Sequence, residues 1–561
     1  MSRFPSPDNP AVRRLGPLVL AILLGVGVGF VAAGYREAIE ITARGFRKVF
    51  STLPLFLGFL MPVAGAGALV LFLAGLRSWV GEYVPAIIES SIRSRFIRVK
   101  DALVCFVTSV LTLGSGGSAG PEGPMAFVGA AAGSLVGKGA KSDPHHTRIL
   151  LAAGAAAGIG AVFNAPLAGV LFGLELILLN DLTLSAVTPV LLAAAAASSV
   201  TRWLSGDSPA FQVPPFVLKN PLELFTYAVL GVAAGLVSSL FCRVMATVRE
   251  IFERLPFSRL HPLVGAAGVG LILLAVPQAG GFGHDVIDDV LRVEFALPVM
   301  GLVCLTKIVA TALTLQSGNS GGIFAPSLLI GASLGALVGG LQQGLIPGLG
   351  TQGAYATVGM AAVLSGTIHA PLTAVVLIFE LTRDYSVMLP LMTATVLSTA
   401  VAFGTGSDSL YIAPLARWRI NFRRNRDLGA MAEVKAGDLM RRRFPLIRLD
   451  DPPVAILKTW RDCRDPRIVC LGPDGALAGF LSRDMLHLVG AVPLSELVRP
   501  FRRTVGPDLP FYETLEALRA GEDLLPVVDA SGKVEGVITH RIFFDRFLPL
   551  LRVFSARRSG L

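Results

Sequence analysis

The sequence predicts an all-α polytopic membrane domain, built by internal duplication from broken helices, with a soluble α/β tail behind it. Three observations carry this. The chain of 561 residues is 53% hydrophobic and only 16% charged, with a mean hydropathy of +0.65, and its length exceeds that of one domain. It matches itself at a nearly constant offset, the mark of a duplicated architecture. From about Asp427 long apolar runs give way to short strand and helix patterns with more charge. The boundaries read from this are 1–426 for the membrane domain with its N-terminal tail and 427–561 for the soluble unit.

Apolar stretches cover 15–34, 53–76, 184–200, 222–240, 263–276, 297–313 and 388–403. Several approach the roughly 20 residues that span a bilayer. Others are short and interrupted by Gly or Pro, which reads as broken or re-entrant helix. The first run leads into further apolar sequence without a small-residue cleavage pattern, so it is not read as a secretory signal. Basic residues flank the spans. Arg13 and Arg14 precede the first, and Arg417, Arg419, Arg423, Arg424 and Arg426 follow the last. The positive-inside bias then puts both ends in the cytoplasm. The net charge of +10 is accounted for by this flanking, and no aromatic-interleaved basic surface points to nucleic acid. The five cysteines are scattered without CxxC spacing and read as small buried apolar residues.

The repeat is specific. Residues 128–137 match 330–339 and Pro124 matches Pro326, each 202 positions on; Asn164-Ala165-Pro166-Leu167 is echoed by His369-Ala370-Pro371-Leu372, 205 positions on. In both copies a glutamate follows that proline by nine residues, Glu175 and Glu380. Three matches in order argue for duplication over chance likeness of Ala/Gly-rich helices. Glu175 and Glu380 read as structural, pairing at helix ends, since a carboxylate in low dielectric needs a partner.

Gly120-Pro121-Glu122-Gly123-Pro124 is the central motif. Gly and Pro frame a helix start, where free backbone N–H groups and the positive dipole end make an anion site. A carboxylate there is an internal anion that competes for the site and leaves it on protonation. At the equivalent of Glu122 the second copy carries Phe324, within Gly322-Ile323-Phe324-Ala325-Pro326. One break thus offers a titratable group, the other an apolar ring and backbone amides. This asymmetry suits a gated anion pathway near the repeat interface.

These motifs, with Asn-Ala-Pro-Leu-Ala-Gly-x-Leu-Phe from Asn164, resemble the CLC chloride channels and proton-coupled anion antiporters over roughly residues 15–420. The resemblance implies two inverted halves and a homodimer with one pathway per subunit. It implies that Glu122 is the gate, that Gly123, Ile323, Phe324 and Ala325 present backbone N–H groups to the anion, and that Tyr411 adds a hydroxyl. Three departures stand out. The family's Gly-Ser-Gly-x-Pro break becomes Gly81-Glu82-Tyr83-Val84-Pro85, so Glu82 replaces the anion-contacting serine. It is read as an anion or proton site, or else as a residue that turns away or caps the next helix. The usual basic residue before the gate is Pro121, which lacks an N–H. The second, cytoplasmic-side glutamate of many proton-coupled members is Leu176.

The tail contains two copies of one pattern. The first runs from Ala436-Gly437-Asp438-Leu439-Met440 through Ile468-Val469-Cys470-Leu471 to Gly479–Leu486; the second runs from Leu494 through Leu525-Pro526-Val527-Val528 to Gly536-Val537-Ile538-Thr539. Short buried strands beside amphipathic helices make a two-layer α/β module, which resembles a tandem CBS-domain pair. Such pairs sometimes hold adenine nucleotides through a Ser/Thr and a nearby Asp. Ser482, Asp484 and Thr539 are the candidates, with Ile542 near the expected acid of the second copy. A structural or dimerising role is the main expectation.

The functional expectation is chloride or related anion transport, as an anion/proton antiporter or as a passive channel, by an integral protein of a bacterial inner membrane. The implied partners are anions, protons, the lipid bilayer and a second copy of the chain, with no cofactor or metal. A CBS-regulated cation transporter is the distant alternative, and it would want clustered intramembrane oxygen ligands. An enzyme is not expected, since no nucleophile–base constellation or metal-ligand spacing stands out.

Overall fold

The structure is a computed structural model. It describes residues 10–51, 54–75, 81–93, 95–207, 211, 222–346, 350–418, 434–461, 466–519, 524–529 and 531–543. The chain divides into two compact units, Met1–Ile420 and Asn421–Leu561. The boundary read at 426/427, with Arg419, Arg423, Arg424 and Arg426, lies outside the described residues.

Among its described residues the first unit is built from helices. Its first half contains α1 (Pro10–Phe50), α2 (Leu60–Ala74), α3 (Tyr83–Arg93), α4 (Val99–Gly114), α5 (Glu122–Gly139), α6 (Pro144–Phe163), α7 (Pro166–Leu171) and α8 (Leu184–Ser205). The second half contains α9 (Leu222–Arg254), α10 (His261–Ala275), α11 (His284–Leu291), α12 (Leu297–Gln316), α13 (Phe324–Leu345), α14 (Gln352–Ile368), α15 (Pro371–Thr382), α16 (Met388–Gly404) and α17 (Ala413–Arg417). Among the described residues, eight helices are long and apolar enough to cross a membrane.

Local chemistry explains the breaks. Pro124 and Pro326 each sit in the first turn of a helix, where a missing N–H costs nothing. Helix α6 is capped by Asp143, whose side chain accepts the His146 N–H at 2.7 Å, and ends at Asn164 with φ 53°. Its counterpart α14 is capped by Thr351 and ends at His369 with φ 58°. Both left-handed ends are followed by Ala-Pro and a new helix, so the same sequence device turns the chain twice. The pairs α5/α6 and α13/α14 pack at backbone distance. A Cβ on Gly129 would strike the Gly154 carbonyl, and one on Gly331 would strike that of Gly359. Small residues at such crossings let membrane helices approach closely.

The two halves also exchange hydrogen bonds in matched pairs. Gly120 and Gly322 form an antiparallel bridge, with N–H to O distances of 2.9 and 2.7 Å. The Ser118 N–H donates to Thr314 Oγ1 and the Ser320 N–H to Thr112 Oγ1, both at 3.1 Å. Glu380 accepts from the Leu167 and Ala168 amides at 3.0 and 2.8 Å, at the start of α7. Glu175 accepts from the Thr373 amide at 2.9 Å and its hydroxyl at 2.6 Å, at the start of α15. Each glutamate thus caps the helix of the other half, where a carboxylate faces the positive dipole end.

The second unit holds a three-stranded sheet, order β1-β2-β3 (Leu446–Arg448, Arg467–Leu471, Leu477–Ser482), and a two-stranded sheet, β4-β5 (Leu524–Val528, Val534–Thr539). Strands β2/β3 and β4/β5 are antiparallel hairpins, the matching parts of the two copies. The opening helices are exchanged. Ala436 and Leu439 join the core of the second sheet with Leu525 and Ile538, while Leu497 joins that of the first with Ile468 and Leu481.

Candidate functional site

The site forms where the two glycine-rich breaks pair. The Gly120–Gly322 bridge brings the starts of α5 and α13 together, so a side chain at 122 reaches the first amides of α13. Glu122 is fully buried, and its Oε1 accepts the Phe324 N–H at 2.6 Å. The Ala325 amide faces the same carboxylate. Its Oε2 has no hydrogen-bond partner. An ionised carboxylate out of water demands compensation, and here a charge-assisted amide bond and the dipole end of a 22-residue helix supply it. The start of α13 therefore holds a carboxylate oxygen of the other half against its first amides.

Phe324 is buried and its ring meets those of Phe163, Phe172 and Tyr411, with centroids 6.3, 5.8 and 6.1 Å away. Tyr411 is buried with a hydroxyl that has no partner. An orphaned hydroxyl at a cavity wall is a free donor, and buried polar groups ordinarily find partners. Gly123 lies so close to Gly322 that a Cβ there would sit 3.0 Å from the Gly322 Cα. A cavity of about 1040 Å³ reaches Gly123, Ile323 and Tyr411, and also touches Glu82, Arg249 and Arg417. The candidates at 122, 123, 323–325 and 411 are thus brought together, with Phe324 and Ala325 just behind the cavity wall.

Glu82 also sits on that wall. Its carboxylate contacts the Arg249 guanidinium and lies 3.2 Å from Arg417 Nη2. The neighbouring Tyr83 turns inward instead, hydrogen-bonded to the Ser320 hydroxyl and 5.4 Å from the Phe127 ring. Leu176 is buried in the π-helical turn Phe172–Ile177 that continues α7.

Sequence reasoning did not single out Lys307. It is fully buried on α12, donates to the carbonyls of Ala279, Gly280 and Gly281 at 3.1, 3.3 and 2.7 Å, and interacts electrostatically with Glu122. A lone lysine within the apolar stretch 297–313 was the available signal. Arg249 and Tyr83 were equally unmarked, since nothing local sets them apart.

In the tail, the Ser482 hydroxyl hydrogen-bonds Asp484 and holds that carboxyl below its ordinary range. Thr539 Oγ1 accepts the Ile542 N–H at 3.2 Å. Both hydroxyls serve local contacts, and Ile542 supplies no acceptor for a ribose diol, so these residues fit an adenine nucleotide poorly.

Paired helix breaks around an internal carboxylate, inside a duplicated membrane domain, are the architecture of a membrane transport protein. The model of the voltage gated chloride channel family matches residues 68–403, and that of the CBS domain matches 489–548. The chain belongs to the voltage gated chloride channel family. It is 33% identical over 425 residues to a ClcB-like chloride channel protein of Ralstonia nicotianae, covering 72% of this chain and 97% of that one. It is 34% identical over 328 residues to the H(+)/Cl(-) exchange transporter ClcA of Salmonella arizonae, covering 56% and 68%. The crystal structure of a slow cyanobacterial Cl-/H+ antiporter superposes with a TM-score of 0.67 at 25% identity, over 72% of this chain and 99% of that one. The fold class expected from sequence is the one these comparisons describe.

Proposed function

We propose that this protein exchanges chloride or a closely related anion for protons across a bacterial inner membrane. The observation that carries the reading is the Glu122 carboxylate bonded to the Phe324 amide at the start of α13. A carboxylate on an anion site blocks it while ionised. Once protonated it loses its hold on the amides, leaves the site to a permeant anion and carries a proton with it. The amides of Gly123, Ile323, Phe324 and Ala325 and the Tyr411 hydroxyl hold the anion that replaces it. The functional unit is a homodimer with one pathway per subunit and cytoplasmic termini, as the family resemblance and the basic flanks imply. Exposed apolar side chains on α8 and α16, such as Leu191, Met392 and Val396, supply surface for lipid and for the second subunit.

The test is purified protein in chloride-loaded liposomes, with chloride efflux and proton uptake followed together. Chloride efflux that drives proton uptake is expected, and absence of chloride efflux refutes the reading. Chloride movement without protons favours a passive channel. Leu176 gives that second reading its support, since an apolar side chain stands where many proton-coupled members carry a glutamate.

A further inference from the structure

Glu82, Arg249 and Arg417 come from three separate elements: the turn before α3, the last part of α9, and α17. They meet on the wall of the cavity that also touches Gly123 and Ile323. One carboxylate oxygen of Glu82 serves both guanidiniums, and Arg249 Nε is fixed by Gln316 Oε1 at 2.6 Å. The side chains of Arg249, Glu82 and Arg417 are 18%, 26% and 45% exposed, so the cluster is reachable from the cavity. Two converging guanidiniums are receptors for a small anion. Other charged groups on the wall are Arg243, Glu250, Glu253 and Asp408, and Glu250 is engaged elsewhere, 3.8 Å from Arg254.

We propose that Arg249 and Arg417 form a second receiving site on the pathway for a monovalent anion of the chloride class, and that Glu82 is its built-in occupant. An arriving anion takes the guanidiniums by displacing the Glu82 carboxylate. The arrangement repeats the logic of the gate, a protein carboxylate lodged on an anion receptor, but with side-chain cations in place of helix amides. It explains how a glutamate is tolerated on an anion pathway: its charge is spent on the arginines, and it tunes their affinity downward so that anions pass on. This rests on the anion-transport reading above.

Chloride titration by calorimetry on the purified full-length protein tests it, alongside chloride efflux from proteoliposomes. Glu82→Gln removes the competitor while keeping its size, and chloride affinity is expected to rise about tenfold, the scale of one charge–charge interaction at a partly wet wall. Glu250→Gln makes the same charge change on the same wall at a carboxylate paired with Arg254, and is expected to change affinity less than about twofold. Arg417→Gln is expected to lower affinity about tenfold, which keeps the proposal open to refutation if Glu82→Gln fails to fold. Unchanged or weakened affinity in Glu82→Gln, an equal rise in Glu250→Gln, or unchanged affinity in Arg417→Gln each overturns it. A wild type without chloride efflux would instead sink the transport reading, whereas chloride binding that ignores Glu82 sinks this one alone.

Discussion

Replacing Glu122 by Gln keeps the shape of the gate and removes its charge. The amide oxygen of Gln still accepts the Phe324 N–H, now 2.6 Å from Oε1, but as a neutral acceptor. The charge-assisted bond to a carboxylate is stronger by roughly 1 kcal/mol. The start of α13 adds about 1–2 kcal/mol for a negative charge that a neutral amide forfeits. Together ~2–3 kcal/mol of competition against a permeant anion disappears, equivalent to a gain of about 30- to 150-fold in chloride affinity. The pH response follows with a definite sign. In wild type the carboxylate blocks and the acid releases, so chloride flux rises as pH falls; in Glu122→Gln it is flat. The assay is calorimetric chloride titration with efflux measured from about pH 4.5, close to the ordinary glutamate value, up to about pH 7.5. Chloride affinity unchanged in the variant, or a pH response as steep as wild type, would refute the reasoning.

Three further outcomes are expected. Gly322→Ala places a Cβ against Glu122 Oε1 and 2.7 Å from the Gly123 nitrogen, so the carboxylate cannot hold its present position; proteoliposome flux should lose most of its pH dependence while the protein still folds. Glu380→Ala strands the Leu167 and Ala168 amides at the start of α7 and should cost about 2 kcal/mol, read as a lower thermal midpoint in detergent, with Glu175→Ala adding a similar drop at α15; unchanged midpoints count against reciprocal capping. A chain ended near Arg426 keeps every candidate anion contact, so a folded truncated protein should retain chloride selectivity in flux assays, and its loss would tie the tail to permeation.

The parts of this protein that were legible in sequence are those written in local residue chemistry. Gly and Pro at fixed offsets marked the two helix starts, whereas the Asn-Ala-Pro-Leu segment from Asn164 read as part of one apolar helix and in fact breaks it, with left-handed residues at Asn164 and His369 before each new start. Glu175 and Glu380 were recognisable as a matched pair at helix ends, but not that each caps the opposite half, because that is a property of how the halves face each other. The partners of Glu82 were illegible for a plainer reason. Arg417 lies 335 positions away and read as ordinary flanking charge, and Arg249 sits on the last turns of a long helix with other charges around it. The reach of α1 to Phe50 was likewise hidden, since its apolar run ends near residue 34 and the remaining turns carry exposed ion pairs such as Arg44 with Glu37.

Of the differences between the two copies, the one at 122 and 324 lies where the halves meet. The backbone pairing of Gly120 with Gly322 sets the starts of α5 and α13 together, and the side chain at 122 is presented to the first amides of the other half. Two carboxylates at these positions would repel across a buried gap. Two aromatic rings would leave both amide sets open with nothing to close the path. One glutamate and one phenylalanine resolve this: the carboxylate from the first half occupies the receptor of the second, while the Phe324 ring packs with Phe163, Phe172 and Tyr411 behind it. On the proposed reading, duplication supplied two facing helix starts, and the glutamate at 122 against the phenylalanine at 324 leaves one of them occupied by a carboxylate from the other half. On that reading, protonating the one side chain at 122 is what frees the start of α13 for an anion.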